Sequence, residues 1–451
     1  MKKPAMNRGG RIVPRLLVAG ILVVPGALVA QDKECQFTGS VGANTAAEVL
    51  RGITEQSTPE ELNLIYTQAM SSLKPELDGR DEHAVAYLLA TQAEIGLGNY
   101  DEAKQYIDQF DGMMPECGEQ SHNMRFRAWV ELFNSGIDAY SSGDNETALT
   151  DFALANEFTP DLRSYNNQAL IYTEMGNDAK AIETYRAALA NAGPDADRAQ
   201  LESAVRGLGD ALTVTGKPEE ALAAYESYLE DHPDDVVVQI QFAMAASDAG
   251  RTEEATRIYS NVLSRDDLDT QQWVEVGVGL YNAGDFDNAT TAFGKARAAN
   301  PYHKEAMENY VNASIQANRP GPVLALADTL VAWYPYDATN YQLLASALAK
   351  ADMEDKAMEV IANEDATTVV FNFVQMAPSA GTSYVVRGSM EAKGASGDLS
   401  IPFEFLDSGG QVVATEVLST TAPAEGETQR FQLSVDAGVP LAGFRYRKTG
   451  T

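Results

Sequence analysis

The chain has few of the residue types that most directly carry chemistry. Its 451 residues include two cysteines, four histidines and three tryptophans. His83, His122, His232 and His303 are scattered through helix ends and connections, and none has a partner at metal-ligand spacing. No phosphate-cradling glycine loop, nucleophile elbow or dinucleotide fingerprint is present. Glycosidase work needs two carboxylates facing a cleft, and nothing in the sequence specifies such a pair. The chain therefore reads as non-enzymatic, with no cofactor, no metal and no catalytic residues.

Positive charge is scarce too. There are 33 Lys and Arg against 65 Asp and Glu, a formal net of -32. So acidic a surface repels nucleic-acid backbones and anionic membrane surfaces, which excludes both as expected main partners. Its ordinary role is solubility. Also missing is an apolar run long enough to cross a bilayer, which takes roughly 20 residues. Residues 16–30 supply 15 and include Pro25 and Gly26. They follow Lys2, Lys3, Arg8, Arg11 and Arg15, and no acidic residue precedes Asp32. This is the charge pattern of a secretory signal over residues 1–30, with cleavage expected after Ala30 and an uncleaved anchor as the alternative. Asp32, Lys33 and Glu34 before Cys35 do not form a lipid-attachment site. Cleavage would remove five positive charges and change the net from -32 to -37. The expected location is periplasmic or secreted, with no stable membrane insertion after cleavage.

Both cysteines, Cys35 and Cys117, belong to the mature part. In an oxidising compartment an isolated pair reads as a disulfide tying the N-terminal arm to the first clear hairpin, with two free thiols as the alternative. A bridge closing about 80 residues would contribute roughly 4 kcal/mol in the chain-entropy model.

What is abundant is a repeat. In residues 270–301, Trp273, Val276, Gly277 and Leu280 recur at helical spacing, as do Ala289, Phe293 and Ala296, with Gly284 between the sets. Taking the small residue that opens the second helix as a marker aligns Ala103, Ala148, Ala181, Ala221, Ala255, Ala289, Val323 and Ala357. Their spacings are 45, 33, 40, 34, 34, 34 and 34 residues. Polar or proline-containing insertions around residues 117–124 and 193–198 account for the two long intervals, at little entropic cost. Gly98, Gly143, Gly176, Gly216, Gly250 and Gly284 each fall five residues before their markers, where the chain must reverse. Ile107, Phe152, Tyr185, Tyr225, Tyr259 and Phe293 each stand four residues after. Pro115, Pro160, Pro233, Pro301 and Pro335 close second helices. The last two units are the least regular, because Val323 follows Pro320 without a turn glycine and Asp352 stands at the final turn. The pairs Asp101-Glu102, Glu219-Glu220 and Glu253-Glu254 begin second helices, where carboxylates favour the helix dipole.

This register resembles the tetratricopeptide repeat. The resemblance implies an α-solenoid, a right-handed superhelix of about eight hairpins over residues 81–365, preceded by a cap or degenerate repeat over residues 31–80. It also implies a groove, lined by first helices, that binds protein or peptide partners. Mapped onto this sequence, the groove positions are Phe133, Ile137, Tyr140, Asn166, Leu170, Arg206, Asp210, Ile240, Met244, Val274, Val278 and Tyr281. This lining is largely apolar and suits an amphipathic helix or an extended apolar segment. The alternative is that these residues only pack helix against helix. A carboxylate clamp would have to use Arg163, Arg206, Asn166 and Asn167, with Asp210 opposing them.

From residue 366 the helical period gives way to alternation, and six short strands separated by Gly, Ser, Pro and Asp turns predict a small antiparallel β-sandwich, immunoglobulin-like, over residues 366–451. The stretch FEFLDSGG at residues 403–410, with Val412, Val413, Phe431 and the segment Phe444-Arg445-Tyr446-Arg447, resembles the FxLYD-type domains of bacterial envelope proteins. Two functions compete. One is a scaffold or adaptor that binds a partner in the groove; the other is a cell-wall or carbohydrate-binding accessory protein that uses surface aromatics of the sandwich such as Tyr384 and Tyr446.

Overall fold

The computed structural model describes residues 35, 39–394 and 397–447. The expected signal segment lies outside them. The described residues form two compact units, divided between Ala224 and Tyr225. The repeat hairpins of both follow one local rule, a first helix ended by a left-handed turn and answered by an antiparallel second helix.

The first unit runs α1 (Val41–Leu50), α2 (Pro59–Leu73), α3 (Ala84–Leu97), α4 (Tyr100–Met113), α5 (Gly118–Ser142), α6 (Asn145–Phe158), α7 (Leu162–Glu174), α8 (Asp178–Ala190) and α9 (Arg198–Val214). α2 opens on a capping box, Thr58 with Glu61, and on Pro59 in its first turn. Gly98, Gly143, Gly176 and Gly216 all take positive φ, between 73° and 88°, as the reversal requires. Close approach is the other demand on glycine. A Cβ at Gly96 would sit 2.2 Å from the Tyr66 ring, and one at Gly207 2.2 Å from Tyr185. Cys35 and Cys117 are joined by a disulfide, S–S 2.07 Å, and both are buried among Tyr87, Leu88, Ile107 and Phe110.

The N-terminus of α1 is closed by a distant side chain. Glu76 accepts hydrogen bonds from the Ser40 hydroxyl and from the backbone N–H groups of Gly42, at 2.7 Å, and Ala43, at 3.0 Å. These donors are unsatisfied within the helix, and the dipole favours an anion there. Burial acts to raise the Glu76 pKa, but the hydrogen bonds from Ser40, Gly42 and Ala43 outweigh it and hold the carboxyl below its usual range. A depressed folded pKa gives stability that is present above the unfolded value of about 4.3 and is lost as pH falls through the folded value. Glu76→Gln is expected to cost about 1 kcal/mol at neutral pH. It should also flatten the acid limb of the stability curve, measured by urea titration between neutral and acid pH.

α10 (Pro218–Asp231) carries the chain into the second unit. That unit continues as α11 (Val236–Asp248), α12 (Thr252–Val262), α13 (Thr270–Asn282), α14 (Phe286–Ala299), α15 (Lys304–Gln316), α16 (Leu324–Trp333), α17 (Ala338–Lys350) and α18 (Glu354–Asp365). The two irregular units keep the turn geometry by other means. Asn318 and Asp352 stand where glycine is missing, and both adopt φ of 58°. These two residue types tolerate the left-handed region better than other residues with a Cβ.

Six strands follow: β1 (Val369–Ala380), β2 (Ser383–Ala392), β3 (Asp398–Leu406), β4 (Val412–Thr421), β5 (Thr428–Asp436) and β6 (Gly443–Tyr446). They form two three-stranded antiparallel sheets, ordered β1-β2-β5 and β4-β3-β6. Alternation sends Phe371, Val386, Phe431 and Val435 of one sheet against Ile401, Phe403, Phe405 and Phe444 of the other. The architecture expected from the sequence, helical hairpins followed by an antiparallel β-sandwich, is the one observed.

The sandwich core does not stop at the sandwich. Met307, Val311, Val323, Leu330, Tyr334 and Leu344 from α15–α17 and their connections belong to the same hydrophobic cluster. Tyr334 Oη donates to the Phe444 carbonyl at 2.7 Å, the Phe371 N–H donates to the Tyr336 carbonyl at 2.7 Å, and Asn300 Nδ2 donates to the Ala442 carbonyl at 2.8 Å. Gly443 is required there, since a Cβ would lie 2.4 Å from the Tyr302 carbonyl oxygen. Beneath this joint Lys304 bridges Glu308 and Asp337, at 2.5 and 2.7 Å. Burial raises the Glu308 pKa even beside that lysine.

Candidate functional site

A repeat helix offers a partner only those side chains that neighbouring helices leave uncovered. The expected groove residues lie at two heights on each first helix, four residues apart, a step that turns about 40° around the axis. That rotation divides them. At the earlier height Phe133, Asn166, Ile240 and Val274 are buried, which corrects their expected place on a partner-facing surface. Phe133 stacks on Trp129 at 4.9 Å and tilts against Phe152 at 5.6 Å. Asn166 Nδ2 donates to the carbonyl and to the Oε1 of Gln200 on the next first helix, at 3.0 and 3.1 Å. Arg206 at the same height stays half-buried and pairs with Glu202 at 3.1 Å.

The later height faces outward. In the first unit Ile137 and Leu170 are half-buried and Asp210 is exposed. Tyr140, one turn beyond Ile137, donates to Glu174 Oε2 at 2.9 Å and so links α5 to α7. In the second unit Met244 is half-buried and Val278 is 37% exposed. The Tyr281 ring packs edge-on against Phe286 at 5.1 Å, and its hydroxyl accepts from Asn312 Nδ2 at 3.2 Å, linking α13 to α15. Each unit thus presents a narrow strip edged by a tyrosine held in place, with Ile137 and Leu170 beside the carboxylate of Asp210 in the first and Met244 beside Val278 in the second.

The groups an anion clamp needs are engaged elsewhere. Arg163 makes a two-point contact with Asp161, Nε to Oδ1 and Nη2 to Oδ2, both at 2.9 Å, while its guanidinium lies 4.3 Å above the Trp129 ring. With Arg206 and Asn166 also paired, this strip does not read as a carboxylate receptor. Among the described residues no group of three or more His, Cys, Asp or Glu is placed to hold a metal ion. Of the two sandwich aromatics that a glycan-binding reading would use, one is taken into the core and the other is half-buried. Tyr446 is buried in the core, and Tyr384 Oη accepts from the Leu441 N–H at 2.9 Å.

Two features escaped the sequence reading. Along α5 the rings of His122, Phe126, Trp129 and Phe133 stack in succession, at 6.4, 5.6 and 4.9 Å, with Arg163 over the third. The signal was their three- and four-residue spacing across the first insertion. The second insertion forms a wall of a polar cleft of about 390 Å³, lined by Asp161, Arg163, Asn191, Asp195, Asp197 and Gln200. Asp161 and Asp197 are the N-caps of α7 and α9 and are bound to those helix starts.

Residues 165–267 match the tetratrico peptide repeat family. No curated protein matches the chain. Similar solved structures include a tetratricopeptide repeat protein from Parabacteroides merdae, 15% identical over 53% of this chain and 92% of that one, TM-score 0.37. The C-terminal part of a repeat-containing protein from Cytophaga hutchinsonii is 16% identical over 52% and 92%, TM-score 0.40. PilF of Pseudomonas aeruginosa is 17% identical over 49% and 98%, TM-score 0.37.

Proposed function

We propose that the protein is a non-enzymatic scaffold or adaptor of the bacterial cell envelope, exported by its N-terminal signal, that binds a segment of a protein partner on its first helices. The observation that carries this reading is the later-height strip, where Met244, Val278 and Tyr281 stay accessible while Ile240 and Val274 one turn earlier are buried. Aliphatic and aromatic side chains held in fixed positions suit an apolar helix or strand of a partner. The FEFLDSGG stretch supports reading residues 366–451 as an FxLYD-type module, and the charge pattern before residue 31 supports export.

The test uses the mature chain as bait in an envelope extract, beside two strip variants, Val278→Glu with Tyr281→Ala and, in the first unit, Leu170→Glu. A charge placed in a partner's desolvated contact is expected to weaken capture about tenfold or more. Equal recovery by all three proteins would overturn the groove reading. N-terminal sequencing of the mature protein should begin at Gln31, and a chain retained intact in the cytoplasm would overturn export.

A further inference from the structure

The end of the helical array is left open. Four residues after each marker stands the side chain that fills the gap between hairpins, and Ile107, Phe152, Tyr185, Tyr225, Tyr259, Phe293 and Ala327 are all buried there. For Tyr185 and Tyr259 the following first helix does the covering. Tyr259 of α12, for example, lies so close to α13 that a Cβ on Gly279 would come within 2.2 Å of its ring. The eighth member of the series, Ile361 on α18, is 47% exposed. Beside it Met358 is 71% and Met353 38% exposed. The marker Ala357 is buried, so α18 packs normally on its inner side. After α18 the chain turns into β1, and no further helix follows among the described residues. The sandwich core takes up Ala357 and part of Val360 and leaves this outer face bare.

The bare face is framed by charge of one sign. α18 carries Glu354, Asp355, Glu359, Glu364 and Asp365 against the single cation Lys356. Glu364 is taken by Lys393 at 3.0 Å, and the other four carboxylates are exposed.

We propose that the outer face of α18 is a docking site for a cationic amphipathic helix of a partner protein, which takes the place the next first helix of the array would have. A helix fits because every earlier interface of this kind is helix against helix. The apolar side of the guest covers Ile361 and Met358, and methionine adapts to its contour. Lysines and arginines flanking that side meet Asp355, Glu359 and Asp365. The net charge of -32 speeds the approach of such a partner. This site is separate from the first-helix strip of the proposed function, and either can fail alone.

The probe is a labelled synthetic helix of leucines at helical spacing with lysine and arginine elsewhere, read by fluorescence anisotropy against the full mature chain at 0.15 and 0.5 M salt, concentrations that screen diffuse attraction to different degrees. Its control has the same composition scrambled so that the leucines no longer align. Saturable binding of the ordered peptide that survives high salt and weakens about tenfold in Ile361→Glu is expected. Val278→Glu with Tyr281→Ala should leave it unchanged. The exposed site is expected to tolerate Ile361→Glu, which an unaltered helical signal and melting temperature would check. Equal binding of the scrambled peptide, an unaffected Ile361→Glu, or loss through the strip variant would each overturn the proposal. So would sedimentation showing a dimer that Ile361→Glu dissociates, because the occupant would then be a second copy.

Discussion

Replacing Phe371 by alanine is expected to lower the stability of the second unit by about 3–5 kcal/mol, the range for truncating a fully packed aromatic. Phe371 stands at the start of β1 and is 3% exposed. Its ring meets Tyr446 at 5.0 Å, Phe431 at 5.2 Å, Tyr336 at 5.4 Å and Phe403 at 6.2 Å. Those partners come from both sheets and from the segment between α16 and α17, so the cavity opens where three layers meet. The loss should appear at one denaturant midpoint in both the helical far-ultraviolet signal and the near-ultraviolet tyrosine signal. Two separated transitions, with the helical one unmoved, would show that strands and helices have separate cores. The same joint predicts that residues 366–451 alone do not fold stably, since the fragment would expose Phe371, Phe444 and Tyr446 where Tyr334 and Tyr336 cover them.

That joint marks the limit of what the sequence discloses. The repeat register was legible because each hairpin repeats one short-range problem. Small Ala289 permits close helices, Phe293 fills the next gap, and Gly284 turns the chain. The strands were legible for the same local reason, since Ile401, Phe403 and Phe405 alternate along β3. Which residues remain outside after stacking is a long-range property. Val274 and Val278 are the same residue type one turn apart on one helix, yet the first is buried and the second exposed. Only the position of the neighbouring helices decides between them. Ile361 shows the converse. Its register marks it as a packing residue, and only the path of the chain after α18 leaves it uncovered.

Reduction of the Cys35–Cys117 bond is expected to cost the first unit about 4 kcal/mol, the chain-entropy value for a cross-link spanning 82 residues. The closed segment contains α1 to α4, so opening it frees the unfolded chain over the whole start of the array. In the folded state the bridge anchors residue 35 inside a core built from α3, α4 and α5. The α1–α2 hairpin has its own smaller cluster, in which Tyr66, Ala69 and Leu73 meet Ala86, Leu89 and Ala93 of α3. Its hold is therefore expected to weaken first when the N-terminal anchor is released. Urea denaturation of the mature chain with and without reductant, beside Cys35→Ser with Cys117→Ser, checks this. Reductant should bring the wild-type midpoint to that of the double variant and leave the variant unmoved. A wild-type midpoint indifferent to reductant, or two titratable thiols in the denatured protein, would show that the bond does not support the fold. The same measurement bears on location, because a bond of this kind persists in an oxidising compartment and is kept reduced in the cytosol. A chain expressed without residues 1–30 should yield both thiols free and behave as the double variant does.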